Sequence, residues 1–148
     1  MRSAVLVIKQ NSASFEELLR FYEETTSLFI PNLYELVESL NDYVDKLHKN
    51  AILLEAYNDN TLVGIVAMYL NDYKTKIAFI SSVIVSAEYQ GKGIAKSLLE
   101  SVIEMAVSKR FLKIKLEVSK ENAKAIKLYN KLGFENSKNG EDAMELIL

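Results

Sequence analysis

The chain has 148 residues, 49% of them hydrophobic and 26% charged, with one proline, five glycines and a formal net charge of −2. That length suits one domain, 1–148, able to bury roughly 68–70% of the surface its unfolded chain exposes, and the composition leaves no linker-like or low-complexity stretch. The slightly acidic balance argues against bulk nucleic acid or an anionic membrane as the main partner, and the absence of cysteine excludes disulfides, thiolate metal sites and a cysteine nucleophile.

In chain order, the run from Ser3 to Lys9 reads as a first strand, short and rich in β-branched residues. Its apolar part is too short for a signal peptide, and no run reaches the ~18 apolar residues of a spanning helix, so the expected setting is the cytoplasm. Ser14 and Glu17 form a capping-box pattern ahead of Phe15, Leu18, Leu19 and Tyr22 at helical spacing. Pro31 breaks that helix, and a second is expected after it, with Leu33, Leu36, Val37, Leu40, Val44 and Leu47 in one stripe.

The pattern then changes to strands. Residues 51–57 and 62–70, separated by Asn58, Asp59 and Asn60, read as a hairpin, and residues 76–85 as a third long strand. Gly91 and Gly93 open a helix running to about Lys109, and a strand at 112–118 follows. Asn122 suits the N-cap of a further helix, which Gly133 ends through a left-handed position. Residues 134–138 and 143–148 flank Asn139 and Gly140, a hairpin-turn pair. The order β-α-α-β-β-β-α-β-α-β-β is that of an α/β layered domain around a mixed sheet.

The segment from Glu88 to Leu99 places two glycines after a strand and at the start of a helix, where several backbone N–H groups lack acceptors. Glycine lets such a backbone approach a phosphate closely, and the helix end adds favourable partial charge. Lys92 and Lys96 add local positive charge. The same two glycines also serve a strand-to-helix turn with no ligand at all. A P-loop has no match here. The dinucleotide fingerprint GxGxxG fails at its third glycine, where Lys96 stands, and at its spacing from the strand end at Val85.

The string QGKGIA, with Gln90, Gly93 and Ala95 at the defining positions of [QR]xxGx[GA], resembles the signature of the GNAT N-acetyltransferases. About 30 residues on, Asn122, Ala125, Tyr129, Leu132, Gly133 and Phe134 resemble the family's second recurrent block. The resemblance implies a mixed, mostly antiparallel sheet flanked by helices, acetyl-CoA as co-substrate with no metal, and direct acetyl transfer to an amine. It implies that Val83, Ile84 and Val85 hold the pantetheine arm through their backbone and that Gln90, Gly91, Lys92, Gly93, Ile94, Ala95, Lys96 and Ser97 surround the pyrophosphate. Asn122 either bonds the pantetheine arm or serves only as a helix cap. Tyr129 is implied as the acid that protonates the leaving thiolate.

For the base, Leu116, Glu117 and Val118, with the glutamate twelve positions before Tyr129, resemble the ribosomal-protein-alanine N-acetyltransferases. Lys113, Lys115 and Glu117 also share one strand face by alternation, so a solvated charged face is the competing reading. His48, the only histidine, reads as a surface residue. The acceptor is a small-molecule or protein amine: lysine, a protein amino terminus, an amino sugar and a polyamine all stay open. Tyr22, Tyr34 and Tyr43 gather near the segment expected to shape its site. A homodimer is left open, as are a silent acyl-CoA-binding module and a dinucleotide-binding protein.

Overall fold

Strands with apolar side chains on both faces form a sheet that needs cover on both sides. The computed structural model describes residues 6–138 and 142–148 and supplies that cover. Among the described residues seven strands form one sheet: β1 (Leu6–Gln10), β2 (Ile52–Asn58), β3 (Thr61–Tyr69), β4 (Ile77–Val85), β5 (Lys113–Glu117), β6 (Glu135–Asn136) and β7 (Ala143–Ile147). They lie in the order β1-β2-β3-β4-β5-β7-β6. Only β4 and β5 run parallel, joined through helix α4 (Ile94–Ser108); every other neighbouring pair is antiparallel. The mixed, mostly antiparallel α/β sheet expected from the sequence is present.

Helices α1 (Phe15–Thr25), α2 (Leu33–Leu36) and α3 (Leu40–Asn50) cover one face, where Leu18, Tyr22, Val44 and Leu47 pack with Leu53 and Ile65. Helix α4 and helix α5 (Ala123–Lys131) belong to the other face, where Leu98, Leu99 and Val102 pack with Leu54, Val66 and Met68. Ser14 caps α1 as expected, accepting from the Glu17 amide at 3.1 Å. The single helix expected after Pro31 is two. Val37 is extended, and Ser39 accepts from the Asp42 amide at 3.1 Å, so its hydroxyl starts a new helix instead of continuing the old one. The first-strand reading over residues 3–5 and the Asn139–Gly140 turn lie outside the described residues, although Ser137 N donates to Ala143 O at 2.9 Å beside that turn.

One buried charge ties the amino-terminal loop to the sheet. The Glu55 side chain in β2 is fully buried, and its carboxylate accepts from the Ser12 amide at 2.8 Å and the Ala13 amide at 3.1 Å. Burial pushes its carboxyl above the usual 4.5 despite those amides. The native chain therefore holds this proton more tightly than the unfolded chain, and stability falls as pH rises from about 4.5 toward the raised value. Glu55→Gln should remove that decline in urea unfolding followed across mildly acidic pH. Glu55→Ala, which leaves both amides without an acceptor, should cost ~1–3 kcal/mol in the same measurement.

Candidate active site

The site begins with a change of parity in β4. Ala67 of β3 pairs with Ser82 and Met68 with Ile80, so Ser81 is an extra, unpaired residue. Before it, Ala78 and Ile80 point into the α4 core; after it, Val83 and Val85 do. Pairing with β5 stops at the same place, at Ile80 with Leu116, while β4 runs on to Val85. The two parallel strands therefore part, and a cleft of about 510 Å³ opens between them, reaching from the α1–α2 connection to α5.

Beyond the bulge the β4 backbone faces this gap. Ser86 N donates to Val63 O at 2.9 Å, toward β3, so the Val85 carbonyl in the same peptide points the other way. By strand alternation the N–H and C=O of Val83 point to the open side as well, with those of Ile84 turned toward β3. The Val85 carbonyl is taken: the Gln90 side-chain amide donates to it at 3.0 Å, and Lys124 of α5 donates to the Gln90 oxygen at 3.4 Å. Gln90 thus ties the glycine turn to the end of β4 on one side and to α5 on the other.

In that turn Gly91 and Gly93 have φ of +77° and +79°, the left-handed region that favours glycine. A Cβ built at either would meet nothing within 4 Å, so the space beside them is open. Gly93 is the N-cap of α4 and offers no side chain to its first amides, and the first intrahelical bond is Ser97 N to Gly93 O at 3.0 Å. The amides of Ile94, Ala95 and Lys96 are left for an outside acceptor. Lys92, Lys96 and Ser97 are exposed around them, while the Ile94 side chain anchors the turn in the core. That anchoring depends on Gly64, whose added Cβ would lie 3.3 Å from Ile94 Cγ2 and 3.4 Å from Val85 Cγ2. Sequence reading passed over Gly64; a glycine inside a strand pattern was the available signal. The free amides, the open space at both glycines and the bare edge of β4 fit a ligand that carries a pyrophosphate and an amide-bearing arm, as acetyl-CoA does.

The far wall holds the candidate chemistry. Tyr129 on α5 is buried, lines the cleft and packs its ring on Phe134 at 5.7 Å between centroids. The helix end fixes this contact, since Gly133 at φ +100° lets Phe134 N return to Tyr129 O at 3.0 Å. Burial pushes the Tyr129 phenol up to about 12, and its hydroxyl has no protein hydrogen-bond partner among the described residues. Glu117 ends β5, is exposed and lines the same cleft. The shared face of Lys113, Lys115 and Glu117 is real, and its Lys113 pairs with Glu145 at 3.5 Å. Asn122 lines the cleft while its side-chain oxygen caps α5, accepting from Ala125 N at 3.3 Å, so both roles expected of it are geometrically open.

Two tyrosines pin the bulge from the helical side. Tyr22 and Ser82 share a hydrogen bond of 2.6 Å, and Tyr43 bonds Ser81 through its hydroxyl at 2.9 Å and its carbonyl at 3.3 Å. Tyr34 and His48 are exposed, away from this cluster. Sequence reading missed the role of Ser81 and Ser82 and the presence of Asp142 in the cleft, because a bulge carries no letter of its own. Among the described residues no group of three or more His, Cys, Asp or Glu is placed to hold a metal, and no helix is long and apolar enough to cross a membrane.

A mostly antiparallel sheet whose one parallel pair parts beyond Ile80 and Leu116 is not a doubly wound nucleotide fold, which disposes of the dinucleotide reading. The acetyltransferase (GNAT) family model matches residues 15–134, and the chain belongs to that family. It is 36% identical over 95 residues to the streptothricin acetyltransferase of Escherichia coli, covering 63% of this chain and 53% of that protein. It is 33% identical over 106 residues to the spermidine N(1)-acetyltransferase of Vibrio cholerae, covering 68% and 60%. The matched stretch thus spans little more than half the length of these curated relatives. The fold is similar to that of the PaiA N-acetyltransferase of Thermoplasma acidophilum in complex with coenzyme A, with a TM-score of 0.74, 22% identity and coverage of 96% and 99%.

The cap at Asn122 can be tested alone. Asn122→Ala should lower stability by ~0.5–2 kcal/mol in denaturant unfolding, and Asn122→Asp, which keeps a capping oxygen, should restore it.

Proposed function

We propose that residues 1–148 act as one acetyltransferase domain in the cytoplasm, moving an acetyl group from acetyl-CoA directly to an amine. The observation that carries this reading is a cleft that runs from the open edge of β4 to Glu117 and Tyr129, with the uncapped amides of α4 tied to the end of that same strand through Gln90. The turn from Gly91 to Lys96 holds the pyrophosphate, with Ser97 beside it, and the backbone of Val83 takes the pantetheine arm as an added strand would. Gln90 keeps these two sections in register. Asn122 has its side-chain N–H groups left to donate to the arm.

The acceptor must arrive as a neutral amine, although a lysine titrates near ~10.4 and an α-amine near ~7.7–8.0. Glu117 takes the amine proton, directly or through water. The new C–N bond forms, the C–S bond breaks, and sulfur leaves as a thiolate that Tyr129 meets with its hydroxyl hydrogen. With no cysteine in the chain, direct transfer is favoured over a covalent enzyme intermediate.

Acetyl-CoA at 100 times its dissociation constant should add ~2.7 kcal/mol to the folded state, read as a rise in melting temperature. Gly93→Val should lose that rise, and its β-branched side chain at φ +79° should also cost ~1–3 kcal/mol of stability. A folded Gly93→Val protein shifted as much as the parent overturns the pyrophosphate assignment.

Tyr129→Phe should lower kcat with one accepted amine while acetyl-CoA affinity holds. Because the hydroxyl gives up no protein hydrogen bond, stability should stay level or rise. With the phenol at about 12, no alkaline limb below pH 11 should belong to Tyr129, so any such limb persists in the variant. Binding of acetyl-CoA without thiol release for any amine would mark a silent acyl-CoA module instead.

A further inference from the structure

The acceptor end of the cleft has a lopsided chemistry. Its wall from the α1–α2 connection and the end of α2 is apolar, formed by Leu28, Phe29, Ile30, Pro31, Leu36 and Val37. Two of these stand well out of the core, Ile30 at 43% exposure and Leu36 at 56%, although both line the cleft. At the end of the β5–β7 ladder are the only two carboxylates in the lining among the described residues, Glu117 and Asp142. Val118 N donates to Asp142 O at 2.8 Å, which keeps the two chain segments together there. No lysine or arginine lines the cleft among the described residues.

The polar side chains nearest the apolar wall are already engaged. Tyr43 is bonded to Ser81, and Ser82 to Tyr22. A guest lying along this wall therefore finds apolar surface and few free donors or acceptors. A polyamine would have to bring further ammonium groups against that surface, losing their water without a carboxylate in exchange. A protein amino terminus would bring backbone amides to the same place, with the same loss. A free amino acid would set its carboxylate against Glu117 and Asp142 with no cation to receive it. An amine whose single charge lies at one end and whose body is apolar satisfies both halves at once. The cleft measures about 510 Å³ in all and must also take the pantetheine arm beside Val83, so the space left along the apolar wall suits a small acceptor.

Resting on the acetyl-transfer reading above, we infer that the acceptor is a small monoamine with an apolar or aromatic arm. Its amine group is drawn to Glu117 and Asp142, and its arm lies on Phe29, Ile30, Leu36 and Val37. Ile30 and Leu36 act as specificity-determining residues, exposed in the free protein and covered by the guest.

The test follows thiol release from acetyl-CoA with phenethylamine, hexylamine, spermidine, phenylalanine and a short peptide with a free alanine amino terminus. The two monoamines should exceed the other three by about tenfold or more in kcat/KM, the discrimination expected of a pocket that matches apolar surface. Leu36→Asn, at an exposed position that should fold as the parent does, should raise KM for phenethylamine by about tenfold. Its melting temperature should still rise with acetyl-CoA. Preference for spermidine or the peptide, with thiol release intact, overturns this inference and leaves acetyl transfer standing. An unchanged phenethylamine KM in Leu36→Asn also overturns it. Bound acetyl-CoA with no thiol release for any of the five amines removes the transferase reading, and the inference falls with it.

Discussion

One unpaired residue, Ser81, sets the plan of the molecule. A strand that kept its register with both β3 and β5 would seal the centre of the sheet and leave no room for a guest. The bulge shifts β4 by one residue against β3, so everything after it exchanges faces, and from that point β5 no longer follows. Such a break leaves main-chain groups unpaired in the middle of a domain, which is costly unless something else satisfies them. Part of the answer is internal. Tyr43 takes the Ser81 carbonyl, Gln90 takes the Val85 carbonyl, and Tyr22 holds the Ser82 hydroxyl on the far face. The remainder, around Val83, stays available to a ligand.

The glycine turn complements this bare edge. Gly64 lets Ile94 settle onto β3, and the first turn of α4 is thereby held beside the end of β4, while Gly91 and Gly93 supply the left-handed backbone that turns its amides outward. The half of the site proposed for the cofactor is therefore made almost wholly of main chain. The half proposed for the acceptor is made of side chains from three separate segments, the stretch from Leu28 through α2 to Val37, the end of β5 and the start of β7. Main-chain recognition survives wide changes of sequence as long as the glycines stay, whereas the acceptor wall changes with each residue. This is the physical reason relatives acting on unlike amines can share one frame.

The same division explains what the sequence could tell. Gly91 and Gly93 were legible because positive φ restricts the residue type, and Gln90 through its place in the QGKGIA string. Strand alternation and helical stripes gave the element order, and Gly133 and Asn122 gave both ends of α5. The split at Ser39 was missed because Leu33, Leu36, Leu40, Val44 and Leu47 keep a helical period across the break, and the cap that decides it is one hydroxyl. The bulge was invisible because Ser81 and Ser82 sit inside an otherwise ordinary strand pattern. Asp142 was out of reach because its place in the cleft depends on the pairing of β5 with β7, a contact between distant parts of the chain.

Under the proposed transfer, the buried phenol also constrains how the proton moves. A hydroxyl pushed up to about 12 gives its proton fully to a thiolate only if that thiolate is also made more basic, since an ordinary thiol titrates near ~8.5. The cleft that desolvates Tyr129 would desolvate a sulfur anion beside it in the same way, which narrows the gap. Even so, a phenol of this strength suits a hydrogen bond to the departing sulfur better than early, complete transfer. The proton that ends on sulfur then comes from the same pool as the one removed from the amine, with Tyr129 passing it on and being reprotonated in turn. In the proposed mechanism Glu117 and Tyr129 are then two ends of one proton path across the cleft. The acceptor nitrogen and the sulfur must lie between them, which is where the parting of β4 and β5 leaves space.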